Sequence, residues 1–60
     1  MTEPLAPLLT IRETAAFLRI SEKSIRRLIA HRRLPCVRLG RRVRFDRSDL
    51  LRWVSARKEG

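Results

Sequence analysis

The sequence is poor in the residues that staple small domains or build catalytic centres. Among 60 residues there is one cysteine, Cys36, and one histidine, His31. One cysteine excludes an internal disulfide, and the two residues together are too few for a structural zinc ion, which takes four ligands. The chain also lacks a carboxylate pair, a Ser/His/Asp set and a glycine-rich phosphate loop. These absences argue against an enzyme and predict no cofactor and no metal.

Long apolar runs are also missing. No run approaches the roughly 20 residues that a membrane span needs. The first seven residues lack the basic and apolar regions of a signal peptide. We therefore expect residues 1–7 to be a short flexible leader. We also expect a cytoplasmic protein with no membrane partner.

Positive charge dominates what is present. The chain has 15 lysines and arginines against 6 aspartates and glutamates, which gives a formal net charge of +9. Thirteen of those cations are arginine, whose planar guanidinium binds phosphates and base edges through two parallel hydrogen bonds. A charge of one sign at this density predicts a polyanionic partner.

Two helix starts lie close together near the beginning of the chain. Thr10 and Glu13 have the spacing of a capping box, and Ser21 is a suitable N-cap for a second helix. Each start is followed by apolar residues at helical spacing: Ile11, Ala15 and Leu18, then Ile25, Leu28 and Ile29. Only Arg19 and Ile20 separate the two helices, which predicts a tight helix-turn-helix.

After Pro35 the apolar residues recur with a period of two, which predicts a β-hairpin. A two-residue loop would pair Leu39 with Arg42 and mix apolar and charged side chains on each face. A three-residue loop at 40–42 would instead pair Leu39 with Val43. That register separates the apolar side chains from the arginines: Val37, Leu39, Val43 and Phe45 on one face, Arg38 and Arg44 on the other. We therefore predict the three-residue loop.

A third helix follows the hairpin, with Asp46 or Ser48 as its N-cap. Its apolar stripe consists of Leu50, Trp53 and Val54. Trp53 and Phe45 fit apolar stripes and are predicted to be core residues, whereas Phe17 lies off the apolar face of the first helix and is expected to be partly exposed. The predicted fold is α+β: a small winged helix-turn-helix of three helices, with a two-stranded antiparallel hairpin between helices 2 and 3.

The second helix carries cations and small polar residues away from its apolar stripe. An ordinary solvated helix face usually carries both signs of charge, but here Glu22 is the only acidic residue. The polar and charged residues of this helix are candidates for contacts in a major groove: Glu22, Lys23, Ser24, Arg26, Arg27 and His31.

The hairpin is the second candidate, because it holds four arginines in seven residues: Arg38, Arg41, Arg42 and Arg44. A hairpin tip of this charge has the width to enter a minor groove or to bind phosphates. The alternative is that the charge only protects an edge hairpin from aggregation. Arg12 and Arg19 are further candidates for phosphate contacts.

Short motifs typical of one known family follow one another in the same order over residues 8–54. They are Leu9-Thr10, Glu13, Ala15, Leu18, Ile20-Ser21, Ser24-Ile25, Leu34-Pro35, Arg38-Leu39-Gly40, Arg44-Phe45, Asp49-Leu50 and Trp53. With these motifs the chain resembles the excisionase-type, MerR-like winged helix-turn-helix domains. The resemblance implies one such domain over residues 8–58, with the second helix in the major groove and the hairpin in the adjacent minor groove. Arg19 and Arg32 stand where many members have glycine, so a positive φ at either position would be adopted at a cost.

A free-standing domain of this kind resembles an excisionase, a recombination directionality factor. The resemblance implies sequence-specific binding and bending of double-stranded DNA, with an integrase as a protein partner. It also implies cooperative side-by-side assembly on DNA in a bacterium or a phage-infected host. We expect a monomer in solution, because we identify no dimerisation element in the sequence. The same residues are compatible with a small phage or plasmid transcriptional regulator. A basic RNA-binding protein is a third alternative, which the helix-turn-helix spacing disfavours.

Overall fold

The computed structural model of the protein describes residues 8–59. The elements follow in the order α1 (Ile11–Leu18), α2 (Glu22–Ala30), β1 (Val37–Leu39), β2 (Arg42–Arg44) and α3 (Arg47–Ala56). The antiparallel hairpin between α2 and α3 confirms the predicted α+β winged helix-turn-helix fold. The predicted leader at 1–7 lies outside the described residues.

The predicted caps begin the first two helices. The Thr10 hydroxyl accepts a hydrogen bond from the Glu13 amide at 3.0 Å, and the Glu13 carboxylate accepts one from the Thr10 amide at 2.9 Å. This is the complete capping box, which satisfies two amides that the first helical turn leaves without partners. The Ser21 hydroxyl accepts from the Ser24 amide at 3.0 Å and begins α2.

The N-cap of the third helix is Asp46 and not Ser48. The Asp46 carboxylate accepts a hydrogen bond from the Ser48 amide at 2.8 Å. Of the two N-caps that the sequence left open, the structure therefore selects Asp46.

One small core joins the three helices to the second strand of the hairpin. Its buried side chains come from the three helices, from the loop after α2 and from the residue after β2: Ala15, Ile25, Leu50, Leu34 and Phe45. The predicted core role of Phe45 is confirmed, whereas Trp53 is half-buried and packs against the core without being enclosed in it. Phe17 is 37% exposed, as expected from its position off the apolar face of α1.

The predicted hairpin register is wrong. The observed pairs are Val37 with Arg44, Arg38 with Val43 and Leu39 with Arg42. The loop therefore has two residues, Gly40 and Arg41. Gly40 has a positive φ of +63°, whereas the φ of Arg41 is not positive. A positive φ at the first central position alone is the mark of a type II′ turn, which suits the twist of a two-residue hairpin.

The observed register changes which side chains share a face, because directly paired residues of a sheet point the same way. Arg38 shares its face with Val43, and Arg44 shares the other face with Val37. The prediction that Arg38 and Arg44 lie together on one side is therefore also wrong. Leu39 does not join the core and is 52% exposed.

The hairpin is attached to the rest of the domain at Phe45. Leu9 and Phe45 exchange two backbone hydrogen bonds of 2.8 and 2.9 Å, forming an antiparallel bridge before α1. Phe45 itself is fully buried. A single bridge thus joins the segment before α1 to the residue that follows β2.

Arginine occupies the glycine-favouring position at the end of both α1 and α2. Arg19 has φ 59° and Arg32 has φ 55°. The amides of Arg19 and Ile20 donate to Ala16 and Ala15, with N to O distances of 3.3 and 3.0 Å. This is the pattern of a Schellman motif. The expected cost of a positive φ therefore applies at both arginines, at about 1–2 kcal/mol each.

Candidate nucleic-acid interface

The outer face of α2 (Lys23, Arg26, Arg27 and Ala30) is exposed along its length. Ile25 anchors the opposite side of the helix in the core with no exposed surface. A helix repeats every 3.6 residues, so Lys23 and Arg27 lie one turn apart and almost directly opposite Ile25. Burial of Ile25 is therefore what turns these two cations toward solvent.

The other predicted residues of α2 differ in the exposure and hydrogen-bond partners of their side chains. Glu22 and Arg26 form an exposed ion pair at 3.7 Å, which is worth only about 0–1 kcal/mol and holds Arg26 weakly. Ser24 is half-buried, and its hydroxyl accepts a hydrogen bond from the Ser21 hydroxyl at 3.0 Å. His31 is exposed at the end of the helix. The N-cap residue Ser21 thus hydrogen-bonds to both the hydroxyl and the amide of Ser24.

Lys23 and Arg27 have no acidic partner within residues 8–59. The ion pairs in this part of the chain are Arg26 with Glu22, and Arg52 with Asp49 at 2.6 Å. Unpaired cations on a rigid helix are available to bind phosphates or base edges without first breaking a salt bridge.

The hairpin presents its arginines on different sides. Arg41 and Arg42 are exposed at the turn and form the hairpin tip. Arg44 is half-buried, and its guanidinium donates to the Val43 carbonyl at 2.8 Å. Arg38 is exposed on the face that it shares with Val43. Of the four predicted arginines, only Arg41 and Arg42 therefore lie at the tip.

The two predicted phosphate contacts outside these elements lie on the helix-turn-helix. Arg12 is exposed in the first turn of α1, and Arg19 is exposed in the turn between α1 and α2. Both side chains are open to solvent.

A cavity of about 590 Å³ lies between the end of α2 and β1, and sequence reasoning missed it. Three arginines line it: Arg32, Arg33 and Arg38. Only Arg38 was a predicted site residue. The available signal was the pair of adjacent arginines shortly before Pro35, but its significance depends on the path of the chain after α2.

Trp53 of α3 holds the loop that forms one wall of this cavity. Its indole N–H donates to the Arg33 carbonyl at 2.6 Å. The Arg57 guanidinium lies over the Trp53 ring, 4.1 Å from the ring centroid, in a cation–π contact. The backbone at Arg33 is therefore fixed by α3, not only by α2.

Two further properties concern only the described part of the chain. None of its helices is long and apolar enough to cross a membrane. Residues 8–59 contain no group of three or more His, Cys, Asp or Glu side chains placed to hold a metal ion.

Comparison with known proteins places this chain among helix-turn-helix domains. Residues 8–58 match the family described as "Helix-turn-helix domain". The chain is 44% identical over 54 residues to "Transcriptional repressor DcmR" of Methylorubrum extorquens. That match covers 87% of this chain and 20% of the relative, so the chain spans about a fifth of the relative's length. No solved structure matches the chain.

Proposed function

Because the chain belongs to the helix-turn-helix domain family, we propose that it binds double-stranded DNA in a sequence-specific manner. In this proposal α2 enters the major groove and the hairpin tip contacts the adjacent minor groove. DNA as the partner is supported by the family and by a relative named as a transcriptional repressor.

The observation that carries the proposal is a pair of exposed cations on α2 that have no acidic partner among residues 8–59. Lys23 and Arg27 project from one side of the helix, opposite the buried Ile25. An arginine at this position can bind a guanine edge bidentately, which is the commonest specific contact to a base. Ala30 lies on the same side and is exposed, and its small side chain permits close approach to the groove.

The hairpin tip supplies the second contact. Arg41 and Arg42 are exposed beside a tight two-residue turn. Cations at this position neutralise phosphates and so make affinity depend on salt, without selecting a sequence. Arg12 and Arg19 are proposed as additional phosphate contacts on the same grounds of charge and exposure.

The favoured biological role is regulation of transcription. The relative named as a transcriptional repressor supports this role, although the match covers only a fifth of that protein. The second candidate is an excisionase that bends DNA for a partner integrase, favoured by the sequence resemblance. A monomer that assembles cooperatively on adjacent sites belongs to this second candidate. In both roles the protein acts by binding, and we propose no catalytic step.

The proposal is tested by mobility shift with two variants, Arg27→Ala and Arg52→Ala. Arg27→Ala should weaken binding to a specific site by about 1–3 kcal/mol, or roughly 5- to 150-fold, with little change on random duplex DNA. Arg52→Ala is the matched control, because it removes an exposed cation that already pairs with Asp49 on α3. Equal weakening by both variants would contradict a base-reading role for α2.

Footprinting of the DNA around the gene separates the two biological roles. A regulator should protect an operator that overlaps a promoter. An excisionase should instead protect several adjacent sites next to a recombination site and should bend that DNA. Stronger binding to duplex RNA than to any duplex DNA would contradict both roles.

A further inference from the structure

We propose that the cavity between the end of α2 and β1 is a separate binding site for a phosphodiester group of the DNA backbone. The site consists of Arg32, Arg33 and Arg38, which we call the three-arginine site. It rests on the proposed function and extends it, because neither the outer face of α2 nor the hairpin tip includes Arg32 and Arg33.

The chemistry of the cavity suits a phosphate oxyanion. Its three arginines are exposed and come from two separate segments, the loop after α2 and strand β1. No acidic residue lines the cavity among those described, and the rest of the wall includes apolar side chains such as Ile29 and Leu34. Three cations with no acidic residue among them make the cavity positive, which favours the binding of an anion. Arginine forks match the oxygens of a phosphate group.

The backbone under the site is held from two directions. The amides of Arg32 and Arg33 donate to the carbonyls of Ile29 and Leu28 at 2.9 and 2.8 Å, which completes a Schellman motif at the end of α2. Trp53 binds the Arg33 carbonyl from the other side at 2.6 Å. These contacts fix the backbone of Arg32 and Arg33, whereas Arg38 is held by the pairing of β1 with β2.

The backbone of Arg32 gives a second indication that the site has a function. It holds φ 55°, a conformation that glycine adopts freely and that an arginine side chain disfavours. Strained residues of this kind concentrate at binding sites, where the side chain has a use that offsets the strain. Arg32 and Arg38 both line the cavity.

The test is Arg32→Gly, which removes the cation and the backbone strain together. The variant should melt at a higher temperature than the wild type, because glycine fits the observed φ. Binding should nevertheless weaken about 5- to 10-fold on specific and random duplexes alike. The negative slope of log K against log salt should become shallower by about one, because one phosphate contact is lost. Arg32→Ala is the matched control for strain, because it removes the same cation but keeps a side chain at the positive φ, and Arg52→Ala is the control for loss of charge.

Ethylation interference identifies the occupant directly. Wild-type binding should be blocked by ethylation of a particular backbone phosphate, and that interference should be absent with both Arg32→Gly and Arg38→Gln. Inorganic phosphate at equal ionic strength should not compete for the site. Competition by inorganic phosphate alone would indicate a small-anion site and would overturn the proposal.

Failure of this inference is distinguishable from failure of the proposed function. If the wild type binds DNA and Arg27→Ala weakens that binding, an unchanged affinity and salt slope in Arg32→Gly would overturn only the three-arginine site. If the wild type does not bind duplex DNA, the proposed function fails and this inference fails with it.

Discussion

The helix-turn-helix and the hairpin reach their structures by different routes. Both α1 and α2 begin at side-chain caps and end in the same backbone motif, so each boundary is set by residues a few positions away. The hairpin has two strands of three residues, and Leu39 is more than half exposed. Its position depends on Phe45, which is buried at the end of the second strand. The helical region is thus specified locally, whereas the hairpin depends on one turn and one anchor.

The largest expected effect comes from removing that anchor. Phe45→Ala should lower the free energy of unfolding by about 3–5 kcal/mol, because it empties a fully buried site. A domain of this size has only roughly 3–5 kcal/mol of net stability, so the variant should be largely unfolded at 25 °C. Circular dichroism and urea denaturation measure the change.

Phe17→Ala is the control for an aromatic side chain on the helical region. Phe17 is 37% exposed and lies 5.5 Å from the Arg47 guanidinium, measured to the ring centroid. Its loss should lower the free energy of unfolding by about 1 kcal/mol or less. Equal losses in the two variants would remove the distinction between an anchor and a surface contact.

A smaller effect tests the hairpin register. Val43 is half-buried against the core, so Val43→Lys should lower the free energy of unfolding by about 2 kcal/mol. Leu39→Lys should change it by no more than about 0.5 kcal/mol, because Leu39 points to solvent. Thermal denaturation compares the two variants. Similar losses would favour the three-residue loop, in which Leu39 and Val43 share the buried face.

The smallest expected changes in the free energy of unfolding come from substitutions in the turns of the two regions. Gly40→Ala should lower the free energy of unfolding by about 1 kcal/mol through backbone conformation alone, because an added methyl group would meet no atom within 4 Å. Arg19→Gly should raise the same free energy by about 0.5 kcal/mol, since relief of the positive φ is partly offset by the entropy of glycine. Urea denaturation checks both signs, and a destabilised Arg19→Gly would show that the Arg19 side chain contributes to the fold.

The outcome of the sequence analysis follows the same division. The caps at Thr10 and Ser21 were predictable because each needs only a hydroxyl and a nearby amide. The hairpin was predictable in place but not in register. Apolar alternation favoured one pairing, whereas the backbone of Gly40 favoured another, and the turn prevailed.

The candidate site was predictable only where it follows one helix. The exposed side of α2 follows from the burial of Ile25 and the helical period. The cavity beside Arg32 and Arg33 depends on the path of the chain after α2 and on the hydrogen bond from Trp53, which is 20 residues from Arg33. Contacts of that range have no local pattern in a single sequence.

The measurement that tests the account most directly is a titration of the isotope-labelled protein with duplex DNA, followed by amide chemical shifts. The account predicts that the largest shifts occur at Lys23 and Arg27 on α2 and at Arg41 and Arg42 on the hairpin tip, with little change at Arg52 on α3. Shifts centred on α3, or small shifts spread evenly over the domain, would contradict it.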